Sequence, residues 1–214
     1  MRARSRSEPP EVPEAAPVCG IVLAAGGSSR MGRPKQLLDV AGKPMLQHVV
    51  DAAAGSCLAE TVVVLGQAAE AIERAVVWPG GVRPVRVKTG GGLADSLRAG
   101  LAATRRDAAA AAILLGDQPQ VTSDLIDWMV SRFRLSGAPC VRPVYSGAAG
   151  PVPGHPVVIA RSLWPELERL QGDRGAGRLL AEHPEWVRCE TIEGEPPIDV
   201  DRPEDYERLR RKWR

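Results

Sequence analysis

A short apolar run that breaks into glycines constrains the fold of this chain more than any other stretch. Residues 20–35 read GIVLAAGGSSRMGRPK, so the apolar residues 21–25 lead directly into Gly26 and Gly27. Such a run is long enough for a buried strand and too short to cross a membrane. Glycines let the backbone bend sharply and approach a ligand closely. The stretch therefore predicts a buried strand followed by a tight turn.

The charged residues after this turn indicate an anion as its ligand. Arg30 and Lys35 add two cations to the free N–H groups of the turn, a combination suited to a polyphosphate. A Walker loop does not fit, because Arg33 and Pro34 stand where it has Lys and Ser or Thr. A dinucleotide fingerprint does not fit either, since no G-x-G-x-x-G follows the strand. The alternative is an ordinary strand-to-loop turn with solvated charges.

Composition limits the number of domains and the classes of partner. The 214 residues, 44% of them hydrophobic, suit one folded domain, expected at residues 18–214 after a disordered tail at residues 1–17. A net charge of +2 and an aromatic content of 4% give no support for a nucleic-acid partner. No apolar run reaches about 18 residues and no secretory signal is found, so we expect no membrane association. Four scattered cysteines predict reduced thiols in a cytoplasmic protein.

Strand patterns and helix patterns alternate along the chain. Apolar runs at residues 61–65 and 109–115 read as buried strands, and Leu93, Leu97 and Leu101 repeat at helical spacing between them. This alternation predicts a single α/β domain with an open, mostly parallel sheet and helices on both faces, a Rossmann-like architecture. Residues 147–154 are rich in Gly, Ala and Pro and predict a loop at the edge of the site.

Three aspartates are candidate metal ligands. Asp117 follows the run at 109–115, and α/β folds bind ligands at the carboxyl ends of such strands; the alternative is a turn residue in D-Q-P. Asp199 and Asp201 have period-two spacing, which places both on one side of an extended segment. Either is a candidate to complete a metal shell with Asp117, and the alternative for Asp201 is a helix cap ahead of Pro203.

Several segments together resemble the MobA-like nucleotidyltransferases. LAAGGSSRMGRPK, residues 23–35, matches the family's signature loop L-A-x-G-x-S-x-R-M-G-x-x-K without a gap. GGGLADSLRAGL at 90–101 resembles the second nucleotide-contacting element, GHPV at 154–157 an acceptor-side motif, and IDVDRPED at 198–205 the closing D-I-D-T-P-E-D. GDQP at 116–119 looks like the form found in molybdenum cofactor cytidylyltransferases. One departure is Gly177, which stands where the G-D-x-G-A-R loop of the family has arginine.

The resemblance implies a nucleotidyltransferase fold and a reaction dependent on Mg²⁺ or Mn²⁺. CMP would pass from CTP to the phosphate of molybdopterin cofactor, pyrophosphate would leave, and a molybdenum hydroxylase would receive the product. The protein needs no nucleophile for this reaction, and the absence of G-x-S-x-G fits that expectation.

The resemblance also implies roles for individual residues. Arg30, Lys35 and Asp117 would be catalytic, and the metal ligands would be Asp117, Asp199 and Asp201. His155, Asp173 and Arg178 would bind the acceptor, although a histidine ahead of a strand is as often structural. The implied nucleotide-binding residues are Leu23, Ala24, Ala25, Gly26, Gly27, Ser28, Ser29, Arg30, Lys35, Ser96 and Asp117.

Two other functions stay open. Ala25 stands where the guanylyltransferases of the family usually carry Gly, which favours CTP, but a methyl group discriminates by only about 1–3 kcal/mol. The first alternative is therefore a guanylyl or sugar-phosphate nucleotidyltransferase of the same fold. The second is a non-catalytic chaperone that carries molybdopterin to an apo-enzyme.

Overall fold

The computed structural model describes residues 16–27, 32–88, 92–148 and 150–213. Its strands are β1 (Val18–Ala24), β2 (Asp39–Val40), β3 (Lys43–Pro44), β4 (Thr61–Leu65), β5 (Val82–Arg86), β6 (Ala110–Leu115), β7 (Cys140–Gly147), β8 (Gly150–Pro153), β9 (Val157–Ala160) and β10 (Val187–Glu193). Its α-helices are α1 (Met45–Ala54), α2 (Ala69–Ala75), α3 (Leu93–Ala103), α4 (Ser123–Ser136), α5 (Trp164–Glu168), α6 (Ala176–Glu182) and α7 (Pro203–Lys212). One-turn 3₁₀ helices lie at Lys35–Leu37, Arg161–Leu163 and Pro184–Trp186.

The main sheet has eight strands, in the order β10-β7-β9-β6-β1-β4-β5, with β8 paired to β7. β1 runs parallel to β4 and β6, β4 to β5, and β10 to β7, whereas β9 runs antiparallel to β6 and β7. The predicted open, mostly parallel α/β sheet is confirmed. β2 and β3 form a separate two-stranded ribbon.

The central strands are apolar throughout because both of their faces are covered. β1 lies between β4 and β6, with Ile21 and Val22 fully buried on opposite faces. Val22 packs in a core cluster that includes Phe133 of α4, and Ile21 packs in a second cluster that includes Leu97 of α3. Helices therefore cover both faces, and the strand ends between them are free to form a site.

The glycine- and proline-rich segment at residues 147–154 differs from the predicted loop. β7 extends to Gly147, and β8 pairs with it antiparallel, with Pro151 opposite Ser146 and Pro153 opposite Val144. β8 is an edge strand, where a proline nitrogen that faces solvent removes no sheet hydrogen bond. Local composition therefore predicted a loop, whereas pairing with β7 makes this segment a strand.

A third core cluster attaches the carboxyl-terminal segment to the β2–β3 ribbon. Val40 and Met45 pack there with Ile198, Val200 and Leu209. This packing directs residues 198–201 towards the carboxyl end of β6. In the described part of the chain, no helix has the length and apolarity needed to cross a bilayer. All four cysteines are free thiols.

Candidate active site

A cavity of about 340 Å³ opens at the carboxyl ends of β1 and β6. We call it the first cavity. It lies where open α/β sheets bind ligands. Its lining residues are Leu23, Ala24, Ala25, Gly26, Gly27, Lys35, Gln36, Gly92, Leu93, Ser96, Leu115, Gly116, Asp117 and Asp173. The fold thus brings eight of the predicted nucleotide-binding residues to one cavity, although β1, α3 and β6 are far apart in sequence.

Three predicted site residues, Ser28, Ser29 and Arg30, lie outside the described residues, as do residues 89–91. Their roles stay predictions.

Lys35 connects the turn after β1 to the two carboxylates of the site. Its Nζ donates a hydrogen bond to Asp117 Oδ2 at 2.5 Å and another to Asp201 Oδ1 at 2.8 Å. The Lys35 side chain is 12% exposed, that of Asp117 18% and that of Asp201 50%. Burial alone lowers the pKa of Lys35, but the charge of Asp117 and the hydrogen bonds to both carboxylates outweigh it, so the pKa is raised. The site therefore keeps an ammonium group between two carboxylates.

Backbone contacts bring Asp201 to Asp117 across a long separation in sequence. The N–H of Val200 donates to the Asp117 carbonyl at 3.3 Å, which ties the closing segment to the turn after β6. The amide groups of Asp201 and Arg202 both donate to the Asp205 carboxylate. Asp205 therefore caps α7, and the Asp201 side chain is at Lys35 instead of serving as the helix cap.

Asp199 takes a different position from Asp201. Its carboxylate accepts a 2.7 Å hydrogen bond from Gln118 Nε2. Burial raises the pKa of Asp199; the hydrogen bond from Gln118 opposes this, and the charges of Asp117 and Asp201 add to it. Of the two predicted partners for Asp117, Asp201 is the one that shares Lys35 with it.

The donor set fits a hard divalent cation such as Mg²⁺ or Mn²⁺. Asp117 and Asp201 direct carboxylate oxygens at one point, now held by the Lys35 ammonium. Within the described residues, no group of three or more His, Cys, Asp or Glu is arranged to hold a metal. Two carboxylates with substrate phosphate oxygens are the usual protein setting for Mg²⁺.

Gln36 is a site residue that the sequence reasoning missed. It is 2% exposed, and its Nε2 donates to the carbonyl oxygens of Ala24 at 2.8 Å and Gly26 at 3.2 Å. These bonds join the end of β1 to its turn and fix the bend that lines the cavity. The only signal in the sequence is a polar side chain immediately before the apolar pair Leu37 and Leu38.

Gly116, the first residue of GDQP, is needed because β6 ends close to β1. A Cβ at this position would lie 2.8 Å from Ala24 Cβ and 3.1 Å from Leu46 Cδ1. A side chain here would push the start of the turn away from β1. Since Asp117 is the next residue, this contact helps to set the position of the carboxylate relative to Lys35.

Asp173, predicted to bind the acceptor, lines the first cavity. The Gly172 carbonyl accepts a 3.1 Å hydrogen bond from the N–H of Ala94, so the loop packs on the first turn of α3. A Cβ at Gly92 would lie 2.2 Å from the Gly172 oxygen, so glycine permits this approach. The loop therefore forms part of the wall beside Ser96.

A second cavity, of about 300 Å³, adjoins the first. The two share Leu23, Leu93 and Leu115. The residues that line it are Leu23, Leu93, Leu97, Ile113, Leu115, Arg142, His155, Val157, Gly175, Ala176, Gly177, Arg178 and Leu180. Two predicted acceptor residues, His155 and Arg178, thus lie together in a mostly apolar cavity.

The two predicted acceptor residues of the second cavity differ in their environments. Burial, with a smaller contribution from the charge of Arg142, lowers the pKa of His155 to about 4. The ring is therefore neutral at neutral pH. Arg178 is exposed, and its Nε donates to Glu182 Oε1 at 3.1 Å.

The family follows from comparison with known proteins. Residues 20–187 match the MobA-like NTP transferase domain. The chain belongs to this family. Among solved structures, this MobA-like protein superposes on Rv0371c of Mycobacterium tuberculosis with a TM-score of 0.83 at 33% identity, covering 92% of this chain and 98% of that one. A structure described as the Rv0371c complex with manganese superposes with a TM-score of 0.79 at 32% identity, covering 91% of this chain and 98% of that one.

Curated relatives of the MobA-like protein include longer enzymes. The bifunctional protein GlmU of Sorangium cellulosum is 34% identical over 110 residues, which are 48% of this chain and 23% of that protein. A match to the CMP-5'-(3-aminopropyl)phosphonate synthase of Streptomyces rubellomurinus is 46% identical over 65 residues, 28% of this chain and 10% of that protein. The matched part of this chain thus spans about a quarter or less of these relatives.

Proposed function

We propose that this MobA-like protein transfers CMP from CTP to the phosphate of molybdopterin cofactor and releases pyrophosphate. The observation that carries the proposal is that Lys35, which lines the first cavity with Asp117, contacts both Asp117 and Asp201. A cation and two carboxylates beside a glycine turn are what phosphoryl chemistry needs from a protein.

The residues of the first cavity would position the nucleotide and neutralise charge. The turn at residues 25–27 would lie against the phosphates, and Ser96 would face the base or ribose. Lys35, with Arg30 as predicted, would stabilise charge on the phosphates. The acceptor phosphate would itself be the nucleophile, so the protein would gain rate from orientation and fixed charge.

Asp117 and Asp201 would hold the divalent ion, with Asp199 in a supporting position through Gln118. When bound, Mg²⁺ or Mn²⁺ would supply positive charge to the phosphate oxygens. The manganese complex of a relative 32% identical to this chain supports a divalent metal. Since Lys35 now fills the point between the carboxylates, we expect its ammonium to move towards the phosphates when the ion binds.

The second cavity would take the rest of the acceptor. It adjoins the first through three shared leucines, so a bound acceptor would reach the nucleotide directly. His155 and Arg178 line it, as an acceptor-binding role requires. The product would then pass to a molybdenum hydroxylase. CTP is preferred to GTP in this proposal because Ala25, with its methyl group, lines the first cavity.

A transfer assay tests the proposal. Purified protein, Mg²⁺ and molybdopterin should release pyrophosphate with CTP and much more slowly with GTP. Release with GTP alone would reverse the base assignment. Release only when a sugar phosphate replaces molybdopterin would instead support the sugar-phosphate alternative.

The Asp117→Ala variant separates an enzyme from a carrier. We expect loss of transfer in Asp117→Ala and normal transfer in Asp107→Ala, which removes an exposed carboxylate outside both cavities. Transfer at the normal rate in Asp117→Ala would contradict the metal assignment. Binding of molybdopterin without any transfer by the wild type would favour the chaperone.

A further inference from the structure

Arg142 of β7 is a charged residue of the second cavity to which neither the motifs nor the proposed reaction gives a role. Alternation along the strand places its side chain on the same face as Cys140, which is buried in the cluster that contains Leu97 and Trp164. Arg142 lines the cavity beside His155. Its side chain therefore points to the α3 side of the sheet and into the space where the acceptor would lie.

The guanidinium of Arg142 has no partner within the described part of the chain. Its Nε is buried and makes no hydrogen bond there. None of the described residues that line the cavity is acidic, and leucines form much of the wall. By contrast, Arg178 at the same cavity is paired with Glu182. A charged donor against an apolar wall is costly unless something pairs with it.

His155 does not supply the missing negative charge. Its ring is neutral at neutral pH, because burial and the nearby charge of Arg142 lower its pKa. The cavity therefore combines a mostly apolar wall, a neutral ring and one guanidinium that has no partner among the described residues. That combination complements a ligand with an apolar body that carries an anionic group.

We propose that Arg142 determines acceptor specificity by binding an anionic group of the acceptor, distal to the phosphate that reacts. The body of the acceptor lies against Leu97, Leu115 and their neighbours, and its reacting phosphate reaches the first cavity across the shared leucines. The volume of about 300 Å³ suits a small, compact body. This inference rests on the proposed function for the place of the reacting phosphate, but Arg142 itself is tested separately.

The kinetic test uses Arg142→Gln, which removes the charge and keeps a polar side chain of moderate size. We expect the KM for molybdopterin to rise about tenfold to a hundredfold, as for loss of a hydrogen bond to a charged group. The KM for CTP and kcat at saturating acceptor should stay within twofold, because Arg142 does not line the first cavity. Arg142→Lys keeps the positive charge but not the bidentate guanidinium donor. Its KM for molybdopterin should therefore lie between those of wild type and Arg142→Gln.

Arg83→Gln is the matched control. Arg83 is an exposed strand arginine on β5, at the other edge of the sheet, and it lines neither cavity. The variant makes the same change in net charge and should leave both KM values unchanged. Thermal unfolding of all variants checks that they fold. If Arg142→Gln is unfolded, the KM for molybdopterin of Arg142→Lys is compared with that of wild type, and an unchanged KM would overturn the role of Arg142.

A binding test works without any assumption about molybdopterin. With Mg²⁺ and saturating CTP present, wild type should bind methylumbelliferyl phosphate more tightly than uncharged methoxy-methylcoumarin, and Arg142→Gln should lose that preference. Retained preference in Arg142→Gln, or none in wild type, overturns the role of Arg142. If the preference depends on Arg142 but molybdopterin accepts no CMP, the proposed acceptor is wrong and the role of Arg142 stands.

Discussion

The two cavities are neighbours, yet they hold charge in opposite ways. In the first, the Lys35 ammonium is paired with Asp117 and Asp201, and Asp201 is half exposed to solvent. In the second, the Arg142 guanidinium and the neutral ring of His155 lie among leucines, with no acidic side chain in the described lining. The first arrangement suits ions and phosphates, which bring their own charge. The second suits discrimination between ligands by shape and by one well-placed charge.

Of the changes that test this difference between the cavities, removal of the paired ammonium of Lys35 should have the largest effect on activity. Lys35→Met leaves the first cavity with carboxylates and no ammonium from Lys35, so charge on the phosphates is stabilised less. We expect kcat for transfer to fall about 100-fold to 1,000-fold, the range for loss of one preorganised electrostatic contact. Steady-state release of pyrophosphate measures it.

Lys43→Met provides the control for that change. Lys43 pairs with Asp51 at the surface, where both side chains are more than a third exposed. Such a pair contributes about 0–1 kcal/mol, and kcat should not change. If Lys35→Met retained more than a tenth of the wild-type kcat, the paired charges of the first cavity would not be catalytic.

Gly116→Ala should have the next largest effect, a loss of stability, because it changes the spacing between β1 and β6 at the first cavity. The added methyl group would meet Ala24 Cβ at 2.8 Å, so β1 or the turn must shift. We expect the free energy of unfolding to fall by about 1–3 kcal/mol, as for overpacked cores. Urea denaturation measures this.

Gly80→Ala is the matched substitution, since a Cβ at Gly80 has nothing within 4 Å. Its free energy of unfolding should stay within about 0.5 kcal/mol of wild type. Equal stability of the two variants would mean that the close approach at Gly116 does not constrain the site.

A change at His155 should have the smallest effect at neutral pH, where the ring is uncharged, and acid pH reveals its contribution. The folded-state pKa of about 4 lies below the ordinary value of 6.5, so the unfolded chain binds the extra proton first. Stability from the neutral ring is present above pH 6.5 and is lost as pH falls towards about 4. Since one unit of pKa corresponds to about 1.4 kcal/mol, we expect this loss to be about 1–3 kcal/mol.

His155→Gln should flatten the dependence of unfolding free energy on pH in that window. His183→Gln removes an exposed histidine that stacks on Trp186, and it should keep the slope that His155 causes. Denaturant titrations across this pH range measure both. An unchanged slope in His155→Gln would show that the second cavity does not exclude water from the ring.

The elements that line the first cavity each have a local signal in the sequence. These signals are the apolar run before Gly26, the helical pattern around Ser96 and the apolar run before Asp117. Each one predicts a strand or helix and also shows which end of it faces the site. Since parallel strands present their carboxyl ends at one edge, local assignments were enough to bring Lys35 and Asp117 together.

The features that the sequence did not predict depend on contacts between distant segments. The choice between Asp199 and Asp201 follows from the packing of the closing segment on the β2–β3 ribbon. β8 depends on pairing with β7, despite its glycine and prolines. Arg142 lies within an ordinary strand pattern, and nothing nearby in the sequence shows that its side chain faces a cavity without a counter-ion.

The wall shared by the two cavities has one more consequence. Because Leu23, Leu93 and Leu115 line both, a molecule in either cavity touches side chains that also touch the molecule in the other. If filling one cavity tightens binding in the other by some factor, the reverse effect must have the same factor. Titrating either compound in the presence of the other therefore measures a single quantity, the coupling free energy between the two cavities.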